Sequence, residues 1–349
     1  MPTLGCATNY SAVVTTRGGG ATVATLTPTD IKWSRKNSAT STASVTIGGA
    51  AGPAGSDCCG DLDEVNPWQH ELSISRNGTQ VWVGPITEIE YEPDSVTIQA
   101  SDMGAWLDRR RLTRRLDRVS VLPEQYARHV CEQAIQHDNS MNLSINVWSA
   151  SVGGGITRAV KFRDFRMCSA EMSDLAATWI DWWVVLRTIY LAGYQFVSSE
   201  ASLTDSHFLS IAGVRVHGAT TGNNFVITGR GRGSRGVEKY GQSEGDTSTY
   251  GLHHWVEADD NLHKEEDLES KASRRVTKFN RVTTTFGGGQ VADTFPLSVN
   301  DIHPGVVVSV DLTYTCRTIT GDYKIVGVDV SVNHDGEDFS IEVERLGAG

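Results

Sequence analysis

The stretch that decides the fold is residues 70–91, HELSISRNGTQVWVGPITEIEY. Asn77-Gly78 is the preferred two-residue loop of a type I′ hairpin, because both of its positions need a positive φ. If these residues form the loop, the apolar partners on the two strands all lie on one face. The expected cross-strand pairs are Arg76 with Thr79, Ile74 with Val81, and Leu72 with Val83. Turn chemistry and hydrophobic pattern therefore agree in predicting an antiparallel hairpin.

The residues around this hairpin also indicate antiparallel strands. After Gly84-Pro85 the sequence TEIEY alternates, a turn follows at Pro93-Asp94, and residues 96–100 alternate again. This pattern predicts a meander of at least four strands. Upstream, residues 30–33 and 45–47 are short strand candidates separated by Ser, Thr and Gly. The first hundred residues are thus predicted to be antiparallel β structure.

The pattern changes after Asp102, where AWLDRRRLTRRLDR contains six arginines and no alternation, so we place a domain boundary near residue 105. Residues 123–137 begin with Pro in the first helical turn and present one apolar stripe, which predicts a surface helix. Residues 169–192 have apolar side chains three and four positions apart, which predicts a longer helix. Residues 106–212 are therefore predicted to be a small α/β insert domain with two helices.

The last part of the chain returns to β structure. Its strand candidates are residues 214–216, 225–227 and 306–312. A polar, charged segment at about 229–275 interrupts them and is expected to be a solvated linker that leads into a short helix, 267–275. The terminal stretch KIVGVDVSVNHDGEDFSIEVERL predicts a second hairpin with Asp335-Gly336 at its turn. Its expected pairs are His334 with Glu337, Val332 with Phe339, Val330 with Ile341, and Val328 with Val343.

These segments together define the expected fold class. We predict an α+β protein dominated by β structure, with an antiparallel β domain at each end of the chain. The expected domains are residues 1–105, the insert 106–212, and residues 213–349 with the polar segment inside the last one. The two end domains have similar patterns, but one sequence does not establish a duplication.

Composition and charge exclude several classes of protein. With 349 residues, of which 39% are hydrophobic and 21% charged, the chain can bury real cores. Its net charge of −11 argues against a surface that binds nucleic acid as a whole. Residues 175–197 are the best membrane candidate, but Asp181 and Arg187 interrupt them, and no secretory signal opens the chain. We therefore expect a protein made in a cytoplasm, without a membrane span.

The cysteines do not form a recognisable framework. They are residues 6, 58, 59, 131, 168 and 316. This number is too small and the spacing too irregular for a disulfide scaffold or a CxxC zinc site, so we expect reduced thiols.

Two short motifs match enzyme signatures without the context that those signatures need. Residues 231–236 read GxGxxG, but the following VEKYGQSEGDTSTYG has no helical period for a dinucleotide fold. Residues 241–245 read GxSxG, but neither the strand nor the helix of a nucleophile elbow is indicated around Ser243. We therefore predict no catalytic residues and no cofactor.

Three further clusters have structural explanations. His253, His254 and His263 lie beside acidic residues, but no metal-binding spacing selects a geometry, so we predict no metal site. The arginines between 109 and 118 are expected to form ion pairs in a connector between domains or subunits. Trp179, Trp182 and Trp183 are expected to lie in a core or a subunit interface, and a sugar-stacking surface stays open as the alternative.

The order of several motifs resembles a known family. Residues 67–110 are similar to the N-terminal β domain of siphophage tail-hub proteins, often called minor tail proteins, from phages of actinobacteria. In that family one hairpin ends in W-x-G-P-I, a second ends in A-x-D, and W-L-x-x-R enters the next domain. The matching residues here are 82–86, 100–102 and 106–109. Toward the other end the resemblance covers residues 250–251, 268–272, 303–305 and 323–326.

The resemblance implies a structural hub related to myophage baseplate hubs and type VI secretion spike proteins. It implies two β-barrel-like domains per chain, a homotrimer that closes the tail tube, and opening for DNA passage. The implied partners are the distal tail ring, the tape measure protein and receptor-binding or fibre proteins, at the tail tip of a virion. It implies no enzyme activity and no binding to a specific nucleic-acid sequence. Two other functions stay open: a carbohydrate-binding module, and a peptidoglycan hydrolase that uses Ser243 or the histidines.

Overall fold

The computed structural model describes most of the chain, and it is dominated by strands in mainly antiparallel sheets. The described residues are 9–48, 62–113, 116–136, 139–149, 156–160, 165–177, 179–193, 199–211, 213–218, 221–229, 239–259, 262, 264–280, 282–313 and 318–346. None of the helices in these ranges is long and apolar enough to cross a membrane.

The N-terminal part forms seven strands, which we call the N-terminal β unit. They are β1 Tyr10–Thr16, β2 Thr22–Leu26, β3 Pro28–Lys36, β4 Thr42–Gly48, β5 His70–Arg76, β6 Thr79–Tyr91 and β7 Ser95–Ser101. Their spatial order is β3-β4-β7-β6-β5-β1-β2, with antiparallel neighbours throughout. The predicted antiparallel character of this region is confirmed.

The hairpin between β5 and β6 forms at the predicted turn but with a different register beyond it. Asn77 and Gly78 have φ values of 51° and 78°, and Arg76 pairs with Thr79 as expected. A bulge after the next pair, Ser75 with Gln80, then places Ile74 opposite Trp82, so the predicted Ile74–Val81 and Leu72–Val83 pairs are wrong. The extra residue on β6 allows two consecutive apolar side chains, those of Val81 and Trp82, to be buried.

The predicted meander has one strand fewer than expected. β6 continues through Gly84-Pro85, pairing with β5 up to Pro85 and with β7 from Ile86 onward. Pro85 lies where the strand changes partner, a position at which its missing N–H is tolerated. The Gly-Pro pair therefore marks a change of partner inside one 13-residue strand and not a loop.

The middle of the chain forms a unit of short helices and strands, which we call the insert. Its elements are α1 Ala105–Arg109, β8 Leu116–Val121, α2 Pro123–Ile135, β9 Ser144–Ser149, β10 Ile156–Val160, α3 Cys168–Ala176, β11 Ile180–Val185 and β12 Thr188–Gly193. β8 pairs with β10, and β12 lies between β11 and a parallel β9. Helix α2 begins at Pro123 and buries Tyr126, Val130 and Ala134, which confirms the predicted surface helix.

The long helix predicted over residues 169–192 is wrong. Helix α3 ends at Ala176, and the hairpin of β11 and β12 follows, with its turn at Leu186 and Arg187. Most of the side chains of β11 and β12 are buried, so their apolar residues form a nearly continuous run instead of alternating. Such a run also satisfies spacings of three and four, which explains the incorrect prediction.

The remaining strands form the C-terminal β unit together with a small satellite. The elements are β13 Ser199–Thr204, β14 Phe208–Ile211, β15 Val214–His217, β16 Asn224–Gly229, β17 Lys239–Glu244, β18 His254–Ala258, α4 Glu265–Phe279, β19 Thr283–Val291, β20 Val307–Leu312, β21 Ile319–Asn333 and β22 Gly336–Arg345. The satellite consists of β16, β17, β18 and α4, and it has its own core around Phe225, Ile227 and Leu268. The polar segment expected to be a linker thus contains two strands and a 15-residue helix that is longer than predicted.

The terminal hairpin has its turn one residue earlier than predicted. Asn333 pairs with Gly336, so His334 and Asp335 form the loop, and Val330 pairs with Phe339 instead of Ile341. Because the pairing is displaced by an even number of residues, the same side chains stay on the buried face. The hydrophobic pattern alone could not separate these two registers.

The two terminal β units share one sheet and one core. β3 of the N-terminal unit pairs with β21 of the C-terminal unit, with Trp33 opposite Val330. The resulting sheet runs in the order β14-β19-β22-β21-β3-β4-β7-β6-β5-β1-β2, and β13, β15 and β20 join it at the side. A single hydrophobic cluster includes residues from both units, whereas the insert has a second cluster. No closed barrel is seen among the described strands.

Candidate assembly surface and the joints between the units

One face of the large sheet is polar and forms a shallow groove of about 710 Å³. Because side chains alternate between the two faces of a strand, the residues next to buried core positions point into this groove. Its lining includes Ser34, Thr42, Ser44, Thr97, Gln99 and Ser331. Trp33 also borders the groove, but only 2% of its surface is exposed. The groove therefore presents hydroxyl and amide groups, without an exposed aromatic ring in this lining.

The charges on this polar face are mixed, with carboxylates in excess. Lys32, Lys36, Asp329 and Asp338 line the groove. Glu88 and Glu90 lie opposite the groove residues Gln99 and Thr97, and Asp30 lies beside Lys32, so acids outnumber lysines on this face. Binding to a nucleic-acid backbone depends on Lys and Arg contacts with phosphates, and an acidic excess opposes such contacts. Stacking of a sugar needs an accessible aromatic face. The hydroxyl, amide and carboxylate groups of this face favour hydration.

A buried ion pair joins the two terminal β units. Arg76 of β5 donates from Nε and Nη2 to Glu337 of β22, both at 2.8 Å, and both side chains are almost fully buried. The Tyr10 hydroxyl also donates to Glu337. Burial and the nearby Glu337 carboxylate raise the pKa of Tyr10, so its hydroxyl stays protonated. The two charges are thus paired through direct hydrogen bonds.

Arg35 forms a second joint, although it lies at an inward position of β3. Its guanidinium donates to the carbonyl oxygens of Val299 at 2.8 Å, Ile302 at 2.7 Å and Val81 at 2.8 Å. Burial lowers its pKa to about 10, which still leaves it charged at neutral pH. The sequence contains one indication of this buried position: Arg35 follows Ile31 and Trp33 at a spacing of two residues, so its side chain lies on the same face of β3 as theirs.

The β11–β12 hairpin of the insert lies against both terminal units. Asp181 accepts from Lys324 of β21 at 2.7 Å and from Asn37 at 2.8 Å, and Asp181 and Lys324 are buried. At the tip of the hairpin, Arg187 forms an ion pair with the buried Glu71 of β5. These polar contacts connect the insert to each end of the chain.

A stack of rings surrounds His303 at the base of the same hairpin. The His303 ring stacks on Trp183 at a centroid distance of 5.7 Å and on Tyr190 at 5.9 Å, and Trp148 meets it edge-on. Gly305 has a φ of +89°, and a Cβ there would lie 2.5 Å from the Trp183 ring. Burial lowers the pKa of His303 to about 4, so the ring is neutral at pH 7. The His-Pro-Gly motif is thus explained by packing.

The tryptophans singled out in the sequence belong to the interior. Trp179, Trp182 and Trp183 are between 0% and 4% exposed. Trp179 and Trp182 lie in the core of the insert, and Arg274 of α4 lies over the Trp179 ring at 4.6 Å. These rings are core residues in this chain and do not form an exposed sugar-stacking surface.

The motif residues at the start of the insert form another joint. A Cβ on Gly84 would lie 1.9 Å from the Ser101 carbonyl oxygen, so only glycine fits this approach. Asp102 is buried and accepts from the backbone N–H of Ser41 at 2.7 Å and of Gly104 at 2.8 Å. Burial raises its pKa to about 6, against the opposing effect of these hydrogen bonds. Trp106 packs edge-on against Trp68.

The arginines after Trp106 contact aromatic rings. Arg109 lies 4.6 Å from the Trp68 ring centroid, and Arg111 lies 5.3 Å from that of Phe165. Within the described residues the guanidinium groups of Arg109 and Arg111 lie over these rings and form no ion pair, whereas pairs with another subunit stay a prediction. Arg114 and Arg115 lie outside the described residues.

The enzyme-like motifs are not arranged as active sites in the residues that the structure describes. Ser243 lies opposite Phe225 in the β16–β17 ladder and not at a strand-to-helix turn. Residues 231–236 and His263 lie outside the described ranges. Glu257 and Asp259 bind Lys271 of α4, and no group of three metal-capable side chains is found among the described residues.

The two cysteines that the structure describes are free and buried. They are Cys131 of α2 and Cys168 of α3. Burial raises the pKa of both thiols, so both stay protonated and unreactive at neutral pH. Residues 6, 58, 59 and 316 lie outside the described ranges.

The complete arrangement of units is found in proteins of phage tails. The chain has the fold of the tail protein from Neisseria meningitidis MC58, with a TM-score of 0.60 and 13% identity over 97% of each chain. The 43 kDa tail protein of prophage MuSo2 from Shewanella oneidensis matches with a TM-score of 0.63 and 11% identity, over 96% of this chain and 98% of that one.

A secretion protein shares the fold as well. The E. coli c3393 protein, a component of the type VI secretion system, matches with a TM-score of 0.50 and 9% identity, over 99% of this chain and 76% of its own. No family model and no curated protein sequence matches the chain. At these identities the similarity is one of fold.

Proposed function

We propose that this chain is a structural, non-enzymatic hub protein at the distal end of a siphophage-like tail. The observation that supports this most is the fold shared with two phage tail proteins over nearly the whole of each chain. The similarity to a type VI secretion component supports the same class of hub. The motif order in the sequence adds the expectation of an actinobacterial phage.

The proposed mechanism uses the two terminal β units as a wall. Three copies would close the tail tube, each contributing two barrel-like segments from residues 1–105 and 213–349, with the insert 106–212 outside them. The polar, acid-rich face would line the passage, because hydrated hydroxyls and carboxylates let DNA move without phosphate contacts. Opening during adsorption would separate copies, whereas the joints inside each chain would stay formed.

The proposed partners follow from this position. The hub would bind a second and third copy of itself, the distal tail ring, the tape measure protein and receptor-binding or fibre proteins. It would be made in the host cytoplasm and end in the virion, at the tail tip. The buried tryptophans and the placement of Ser243 in a β ladder give no support to the carbohydrate-binding and hydrolase alternatives.

Immunogold labelling of tailed particles with an antibody against this chain tests the location. We expect label at the tail tip alone, with none on capsids or along the tube. Particles that stay unlabelled, from a lysate in which the free chain is detected, would contradict the hub assignment. Sedimentation velocity of the purified chain tests the trimer separately. A hub that forms a trimer only in the assembled tail would sediment as a monomer, and the antibody would still label the tail tip.

A further inference from the structure

The satellite has an exposed sheet edge at β18. In its sheet the order is β17-β16-β18, so β18 pairs with β16 on one side and with no described strand on the other. The helix α4 packs against β16 and β17, and Lys271 and Arg275 of the helix bind Glu257 of β18. The helix thus covers one face of the small sheet, and the outer edge of β18 has no partner strand among the described residues.

The backbone of β18 points its free hydrogen-bonding groups outward at alternate residues. The His253 carbonyl accepts from Asn224 at 3.1 Å, and the Asp259 N–H donates to Thr228 at 2.7 Å, so odd-numbered residues face β16. Backbone groups alternate in direction along a strand. The N–H and C=O groups of His254, Val256 and Ala258 therefore face away from the sheet.

This edge also has an unusual side-chain composition. Val256 is 70% exposed, Leu252 55%, Trp255 44% and Tyr250 38%. Sheet edges are normally protected by lysine, proline or a bulge. β18 contains neither lysine nor proline, and its single acid, Glu257, is turned toward α4. Clustered exposed apolar residues of this kind mark interaction surfaces.

A small aromatic pocket lies beside the edge. It has a volume of about 130 Å³ and is lined by Phe225, Trp255, Phe279 and Arg275. Small-molecule sites usually measure about 300–1,000 Å³, so this pocket fits one side chain and not a sugar or a cofactor. Its lining is almost entirely apolar, which selects a bulky apolar side chain.

Arg275 adds a polar requirement to the pocket. Its Nη1 donates to the Ala177 carbonyl at 2.7 Å, and its Nη2 donates to Glu257 at 3.0 Å. Its Nε is buried and reaches no acceptor in the part of the chain that the structure describes. Arg275 thus places a charged guanidinium in the lining of the pocket, and this charge favours an oxygen acceptor beside the apolar side chain.

We propose that the edge of β18 binds an extended segment of a partner polypeptide as an additional strand. The segment would pair with His254, Val256 and Ala258, place one bulky apolar side chain in the pocket, and offer a carboxylate or carbonyl oxygen to Arg275. A second copy pairing through its own β18 would leave the pocket unfilled, because its Trp255 packs against its own Phe225 and its Glu257 binds its own Lys271. This inference does not depend on the hub proposal, because peptide binding is measured on the isolated chain.

The test is selection of peptides from a displayed library of random twelve-residue sequences against the full-length chain. We expect enriched peptides with apolar residues at alternate positions and an acidic residue beside a bulky one. Fluorescence polarisation of one such labelled peptide should then show at least tenfold weaker binding to Trp255→Ala. Val256→Pro, which removes an outward N–H without breaking the β16 ladder, should have the same effect.

The control is Leu209→Ala, which removes an apolar side chain that is 62% exposed on β14, far along the chain from β18. This variant should bind like the unmodified chain, and circular dichroism should show that all three variants are folded. A selection that enriches no peptide contradicts the proposal, and so does binding that Trp255→Ala and Val256→Pro leave unchanged. Enriched peptides that match a segment of this chain would assign the edge to a second copy instead.

Discussion

At Gly84 the packing leaves no room for any side chain. The Ser101 carbonyl would lie 1.9 Å from a Cβ, and the Asp102 Cα would lie 2.9 Å from it. Both neighbours are backbone atoms: Ser101 is the last residue of β7, and the Asp102 N–H is held by the Ser41 carbonyl at 2.9 Å, so neither can move alone. This single close approach fixes where β6 changes from one partner strand to the next.

We expect Gly84→Ala to lower the free energy of unfolding by about 3 kcal/mol, because the added methyl group overpacks a rigid site. Urea unfolding monitored by tryptophan fluorescence measures this loss. Gly48→Ala is the matched control, since no atom lies within 4 Å of a Cβ there, and it should change the stability by about 0.5 kcal/mol or less. Equal losses in both variants would show that the close approach of Gly84 to Ser101 does not affect the free energy of unfolding.

His303 and Asp102 make opposite contributions to the pH dependence of stability. The pKa of His303 is about 4 in the fold and 6.5 when unfolded, so its contribution to stability is present above pH 6.5 and is lost toward pH 4. The pKa of Asp102 is about 6 in the fold and 3.8 when unfolded, so its contribution is present below pH 3.8 and is lost as the pH rises through 6. Between pH 6 and 4 the two effects oppose each other.

We expect His303→Phe to remove one of these two contributions, because phenylalanine keeps the ring stack but does not bind a proton. When the pH falls from 7 to 4.5, the unmodified chain should lose about 2–3 kcal/mol more of its free energy of unfolding than the variant does. Urea unfolding at both pH values measures the difference. His334→Phe, at an exposed loop position, should follow the unmodified chain, and parallel profiles for all three proteins would disprove the assignment.

At the scale of single elements, local turn chemistry was predictable and the exact pairing was not. Asn77-Gly78 predicted its hairpin because both residues adopt positive φ in the turn itself. The bulge at Val81 could not be predicted, because it depends on Trp82 reaching the carbonyl of Ser34 on another strand at 3.2 Å. The β11–β12 hairpin was predicted to be helical, because strands that are buried on both faces do not alternate between apolar and polar residues. The β-branched Val184, Val185 and Ile189 nevertheless favour strands.

The satellite is an element with its own small core, so it should open independently. Leu268 of α4 is fully buried in this core of five residues. We expect Leu268→Ala to cost about 2–4 kcal/mol locally and to raise amide hydrogen exchange in β16, β17, β18 and α4 alone. Mass-spectrometric exchange measures each segment. Faster exchange that extends equally into β3 and β21 would contradict the independence of the satellite.

At the scale of the whole molecule, the two β units were predictable but their union was not. Alternating strands at both chain ends predicted two β regions. The β3–β21 pair forms between residues roughly 300 positions apart, and no local signal specifies which edges meet. The joints were likewise hidden: an inward charge such as Arg35 is visible in the pattern, but its carbonyl partners are not.

The Asp181–Lys324 pair connects the insert to the C-terminal unit, so its loss should affect the whole molecule. Asp181→Asn removes the carboxylate that pairs with the buried ammonium of Lys324 and should cost about 3–5 kcal/mol. The double variant Asp181→Asn with Lys324→Met should recover a large part of this loss. Chemical denaturation of the four proteins gives the coupling energy, and additive losses would show that the pair does not act as a unit.

The β3–β21 pair also has a consequence for synthesis. The N-terminal unit leaves the ribosome with β3 as an unpaired edge, and its partner strand is made roughly 300 residues later. At about 5–20 residues per second this interval lasts roughly 15–60 s. During that time the nascent chain exposes half of a core and an open edge to every neighbouring nascent chain. Its yield in a cell should therefore depend on chaperones that act during translation.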